Sequence, residues 1–146
     1  MGMTLKEIRP QVRKLEGVPH RLQLSDKGNV TVIDDAYNSN PSGTKAALEA
    51  LSLFDGYKIL VTPGMGELGE NEIQYHREVG QFLSKVSSKN VKFLTVGNLA
   101  SEIGEELSSK GFEVNSFDSN EQVACYILDN LNVGYTIFLK ASSSMK

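Results

Sequence analysis

The sequence predicts an α/β fold, built on a mostly parallel sheet with an antiparallel edge. Two observations carry this. From residue 40 onward, short β-rich runs alternate with helical patterns of ten or more residues, the signature of βαβ units. Ahead of them, two short β-rich runs flank a turn-forming stretch, which reads as a hairpin. The expected architecture is a three-layer, Rossmann-like domain over 1–146, with the hairpin supplying the antiparallel edge.

Taken in order, Thr4 and Glu7 have the spacing of a capping box. Leu5, Ile8, Val12 and Leu15 then follow helical periodicity, with Pro10 set to kink or shorten that helix. Strands are predicted at 21–24 and 30–34, around turn residues 25–29. Asn40 and Pro41 form a good N-cap and first-position pair for a helix to about Phe54, with Ala47, Leu48 and Leu51 inward. The run at 58–62 is a strand of the buried type. A helix at 71–86, a strand at 91–96 and a helix at 101–110 follow. A weak strand at 113–116, a helix at 121–131 and a final strand at 135–140 complete the pattern.

The bulk numbers narrow the classes. A chain of 146 residues suits one domain. A net charge of −3 argues against a nucleic-acid surface, which needs a basic excess. One cysteine, Cys125, excludes an internal disulfide and a cysteine-based zinc site and fits a reducing compartment. Set among Val123, Ala124, Ile127 and Leu128, it reads as a structural thiol. No apolar run reaches the ~20 residues of a membrane helix, so no membrane partner is expected. The sequence stops straight after a strand and a serine cluster, as expected of a piece cut from a longer protein.

Ligands of open α/β sheets bind beyond the carboxyl ends of the strands. Those ends carry Asp34-Asp35, the run from Thr62 to Glu67, Gly97-Asn98, and Lys140-Ala141-Ser142. The first is the densest: Asp34, Asp35, Tyr37, Asn38, Ser39 and Asn40 fall within seven positions, more than a plain connection needs. A complete nucleotide site is absent. Gly43-Thr44-Lys45 lacks the Gly-Lys step of a P-loop, and no G-x-G-x-x-G opens a helix after a strand. A phosphoacceptor receiver would place two acids and a lysine similarly. It also needs an aspartate ending a middle strand, where Thr62 and Gly97 stand.

Three stretches carry a resemblance: IDDAYNSNP, the G-x-G-E-L-G-E run at 64–70 with His76 downstream, and FLKASSSMK. Together, with VPHRLQ before them, they resemble the C-terminal domain of the Mur ligases, over nearly the whole chain. Among these the chain looks most like the ligase that adds D-alanyl-D-alanine to the UDP-N-acetylmuramoyl-tripeptide (UDP-MurNAc-tripeptide). The resemblance implies a cytoplasmic, three-domain enzyme of peptidoglycan synthesis. ATP phosphorylates a substrate carboxylate, an amine attacks the acyl phosphate, and phosphate leaves. ATP and Mg2+ would be held mainly by a central domain that these residues do not contain. The partners implied are the two substrates and the enzyme's own N-terminal and central domains.

Carried over by position, Arg21, Asp35 and Asn38 are implied nucleotide contacts. Tyr37, Asn40, Glu67 and Ser142 are implied substrate contacts, and Lys140 is the implied catalytic cation. No metal ligand is implied. Open alternatives stand beside these. Asn40 is also the N-cap of the next helix, and Asp34 either supports Asp35 or faces a helix N-terminus. Glu67 reads equally as an exposed loop acid, His76 as a packed boundary histidine and His20 as a loop residue. The chain departs from the family's Lys-Gly-Ser-Arg turn at Ala141 and Ser143, and from its acid-bearing loop at 63–66. A ligase of other specificity and a non-catalytic binding module are the competing readings.

Overall fold

The computed structural model describes residues 2, 4–12 and 17–142. The elements in chain order are α1 Leu5–Val12, β1 Gln23–Asp26, β2 Thr31–Asp35, α2 Pro41–Ser52 and β3 Lys58–Thr62. A 3-10 turn at Gly69–Asn71 leads into α3 Glu72–Val86, followed by β4 Val91–Val96, α4 Asn98–Ser109, β5 Val114–Phe117, α5 Asn120–Asn130 and β6 Thr136–Lys140. Leu15, predicted on the first helix's apolar stripe, lies outside the described residues, as does Ser143.

The six strands form one sheet in the order β1-β2-β6-β3-β4-β5. The β1–β2 pair is antiparallel; β2–β6, β6–β3, β3–β4 and β4–β5 are parallel. All five residues of β3 are buried, as a central strand covered on both faces must be. On one face Leu48, Leu51, Leu83 and Leu107 from α2, α3 and α4 pack on Leu60, Phe93 and Phe138. On the other, Val123 of α5, with Tyr126 and Ile127 beside it, packs on Ile59, Val61, Leu94 and Ile137. The predicted three layers are therefore present.

The hairpin differs from its predicted register. His20 and Leu22 adopt left-handed φ angles of 59° and 48°, so regular strand begins only at Gln23. The turn is correspondingly tighter than 25–29. Gly28 and Asn29 both have positive φ, and Lys27 N–H donates to the Val30 carbonyl at 2.8 Å. This is the primed turn that matches strand twist, and Asp26 pairs with Thr31 across it. The helix predicted at 101–110 starts three residues earlier, at Asn98, because Gly97 turns the chain directly off β4 at φ 80°.

Cys125 is not a buried thiol: it is exposed. The inward stripe of α5 runs through Val123, Tyr126 and Ile127, at i, i+3 and i+4, which turns Ala124, Cys125 and Leu128 to the outside. At the first helix, Glu7 reaches back to accept from both the Thr4 N–H and its hydroxyl, each at 2.8 Å. The Thr4 backbone bond, then the hydroxyl, holds the Glu7 carboxyl below its ordinary range against a small desolvation effect. Leu5 remains exposed, so the capped helix shows little apolar burial for its predicted stripe.

Candidate functional site

Because β2 and β6 are parallel and in register, Asp35 lies directly across from Lys140 at the carboxyl end of the sheet. The two are 105 residues apart in sequence and close an ion pair of 2.6 Å between Lys140 Nζ and Asp35 Oδ2. Lys140 is only 4% exposed, and its ammonium also donates to the Asn38 carbonyl at 2.6 Å. An ammonium has three protons, so one is left for another acceptor. The other Asp35 oxygen, Oδ1, accepts the Leu22 N–H at 3.2 Å. Asp35 thus ties the segment before β1 to the end of β6.

Asp34 takes neither predicted role. Its Oδ2 is 2.8 Å from His20 Nδ1, and its Oδ1 accepts the Ala36 N–H at 3.1 Å. It fixes the chain's exit from β2 and holds the His20 loop, which Tyr37 N–H also grips through the His20 carbonyl at 3.0 Å. Arg21 lies over the Tyr37 ring at 4.0 Å from its centroid, within cation–π range. Arg21, Leu22, Asp35, Tyr37, Asn38 and Lys140 together line an open cavity of ≈ 290 Å³. The predicted nucleotide residues and Lys140 are therefore brought together, and Tyr37, predicted to touch substrate, stands in the same cavity.

Asn40 is the N-cap. Its side chain accepts the Gly43 N–H at 2.7 Å, with Pro41 opening α2. Gly43 then stands beside Lys140: a Cβ there would lie 3.5 Å from Cε and Nζ. After the buried Lys140, Ala141 and Ser142 of the predicted turn are half-buried, and Ala141 is not among the positive-φ positions, so alanine is accommodated there without strain. Ser142 has a partner within the structure. Glu67 is exposed at φ 61° in the loop that follows β3, outside the cavity's lining.

His76, expected as a packed boundary histidine, is fully buried. Its Nε2 accepts the Met65 N–H at 2.9 Å and its Nδ1 donates to the Glu72 carbonyl at 2.6 Å. The signal was legible in its spacing to Val79 and Leu83 on the buried stripe of α3. Gly64, in the same loop, has φ 91°, and a Cβ on it would meet His76 Nε2 at 2.7 Å. Among the described residues no three His, Cys, Asp or Glu side chains are grouped to hold a metal ion. No described helix is long and apolar enough to cross a membrane.

Known proteins resemble this chain in sequence and in fold. The family profile described as "Mur ligase, glutamate ligase domain" matches residues 20–143. The UDP-N-acetylmuramoyl-tripeptide–D-alanyl-D-alanine ligase of Buchnera aphidicola subsp. Acyrthosiphon pisum is 36% identical over 118 residues, 81% of this chain and 25% of that protein. The ligase of the same name from Bacillus subtilis is 33% identical over 138 residues, 91% of this chain and 29% of that protein. The chain thus spans about a quarter of the length of the curated relatives it matches. Among solved structures, MurF from Thermotoga maritima in complex with ADP superposes with a TM-score of 0.74 at 27% identity, over 90% of this chain and 29% of that one. MurF from Acinetobacter baumannii gives a TM-score of 0.85 over 98% of this chain and 32% of its own, at 24% identity, a likeness of fold. Since the family profile runs unbroken from the loop before β1 to beyond β6, and so across both halves of the Asp35–Lys140 pair, this chain belongs to the Mur ligases through their glutamate ligase domain.

Proposed function

We propose that the chain is the C-terminal domain of an ATP-dependent amide ligase of peptidoglycan synthesis, cytoplasmic in location, that joins D-alanyl-D-alanine to UDP-MurNAc-tripeptide. The observation that carries this reading is the 36% identity to a ligase of that name, over a stretch covering most of this chain. Chemistry at the rim supports it. Arg21 has no ion-pair partner among the described residues and stands at the mouth of the cavity, suited to a nucleotide's charged side. Each carboxylate oxygen accepts more than one hydrogen bond, so Asp35 can hold Leu22 and Lys140 and still receive ribose hydroxyls. Asn38 lines the same wall.

The cavity is shallow and holds no glycine-rich phosphate cradle, so these residues fit an edge of ATP and not its phosphate chain. The phosphates and Mg2+ fall to the central domain of the full-length ligase. Lys140 supplies positive charge beside the helix start at Gly43, where charge building in the transition state would meet it. On this reading Glu67, Tyr37 and Ser142 contact the dipeptide, and Asn40 acts through the helix it caps.

The test is amide formation by the full-length parent ligase, with ADP release measured against each substrate. Arg21→Ala is expected to raise the KM for ATP by roughly 10- to 150-fold, the range for a charged hydrogen bond. Lys140→Met is expected to lower kcat more than it changes either KM, because its charge is used in the transition state. Unchanged ATP kinetics in the arginine variant would remove Arg21 from the site. A wild-type parent that joins no dipeptide under ATP would end the ligase reading.

A further inference from the structure

The loop at 63–68 stands next to Lys140 in the sheet: Val61 pairs with Leu139, so the residues after β3 and β6 leave the rim side by side. Its backbone is unusual. Gly64 and Glu67 take positive φ, as does Gly69 just after the loop, and Glu67 does so with a side chain. A residue with a side chain keeps such a conformation only where its surroundings impose it. One buried side chain grips this loop. His76 is fully buried, and so is Met65. A neutral imidazole has one acceptor and one donor nitrogen. Nε2 accepts from Met65 N–H, which puts the proton on Nδ1, where it is donated to the Glu72 carbonyl. Thr62 Oγ1 accepts the Gly64 N–H at 3.0 Å and steers the loop onto the ring. Gly64 must lack a side chain because its Cβ position lies 2.7 Å from Nε2 and 3.2 Å from the Ala100 nitrogen. A fully buried ring must satisfy both nitrogens, and here the loop supplies the partner of Nε2 while α3 supplies that of Nδ1.

We propose that His76 is a positioning residue: through the Met65 N–H it holds the 63–68 loop in the shape that presents Glu67 to the incoming amine substrate. The substrate half rests on the ligase reading above. The hold on the loop rests on geometry alone. Glutamine can carry an oxygen to the Nε2 position, whereas asparagine reaches only the Nδ1 position. The pair His76→Gln and His76→Asn therefore separates the contact to the loop from the contact within α3.

In the full-length parent ligase, His76→Asn is expected to raise the KM for the amine substrate about tenfold or more, as for a buried N–H left without its acceptor. Its kcat and its KM for ATP should stay within about twofold, and His76→Gln should recover most of the loss. Equal damage from both variants, or damage spread over kcat and both KM values, would overturn the assignment. On the present chain, nitrogen NMR should show Nε2 unprotonated and Nδ1 protonated. Met65 amide exchange should quicken about tenfold in His76→Asn and hardly at all in His76→Gln. A ring protonated at Nε2, or Met65 exchange indifferent to both variants, would refute the hold on the loop. These spectra do not depend on turnover, so failure of the ligase reading remains distinguishable from failure of this one.

Discussion

The buried pair between Asp35 and Lys140 shows how one contact can serve both fold and chemistry. Its lysine is almost wholly out of water, so an uncompensated charge there is expensive. Asp35→Ala is expected to cost about 3 kcal/mol in urea denaturation, at the lower end for a broken buried pair because Asn38 still accepts from Lys140. Adding Lys140→Met should then restore stability, since the stranded ammonium is gone; a double variant weaker than the single one would refute the account. Gly64→Ala is a second expectation. With φ at 91° and a 2.7 Å approach to His76, the change should destabilise by about 1–3 kcal/mol, read as a lower denaturation midpoint at unchanged slope. The sequence made the acids and lysine visible as candidates but not their pairing, because a bond across 105 residues depends on which strands become neighbours.

Helices and strands carry their own expectations. Asn40→Ala should cost about 1 kcal/mol through α2, and Asn40→Asp should cost little, as befits a cap. At Gly80 two effects compete. Alanine is the better helix former by up to about 1 kcal/mol. But a Cβ would lie 2.8 Å from Glu106 Cβ and 3.1 Å from the Ile103 carbonyl, where α3 meets α4. Neither neighbour is a flexible tip, so overpacking wins and Gly80→Ala should lower the melting temperature. A rise would mean the helices separate freely. Between β4 and β5, Lys92 is partly desolvated, which lowers its pKa. Glu113 at 2.5 Å, together with the Tyr126 hydroxyl, outweighs this and holds the ammonium above its usual range. A raised lysine contributes stability that is present below the unfolded value near 10.4 and lost as pH climbs through the folded one. An alkaline stability curve should therefore lose that step in Lys92→Met. Element types were legible because period and punctuation are local properties. The hairpin's register was not, since it turned on left-handed backbone at His20 and Leu22, a conformation that leucine rarely takes.

For the molecule as a whole, an α/β fold could be read from the alternation of patterns alone, while the order of the strands could not. Nothing in the 136–140 run says that it inserts between β2 and β3. The cavity formed by that insertion offers a nucleotide about two charge-assisted contacts, together about 3–6 kcal/mol gross. Association costs on the order of 4–15 kcal/mol, so calorimetry of this chain with magnesium-ATP should show no micromolar binding. A micromolar Kd would place a complete nucleotide site within these residues. The insertion also has a consequence in time. A ribosome makes β6 after the other five described strands, yet among the described residues β6 is the strand that joins the β1–β2 hairpin to the rest of the sheet. Until it emerges, the hairpin and the β3–β4–β5 ladder are two unconnected sheets, each with an open inner edge. Closing a loop of that span costs on the order of 4 kcal/mol in chain entropy. A nascent chain halted before residue 136 should thus expose two sticky edges, which the sixth strand seals in one step.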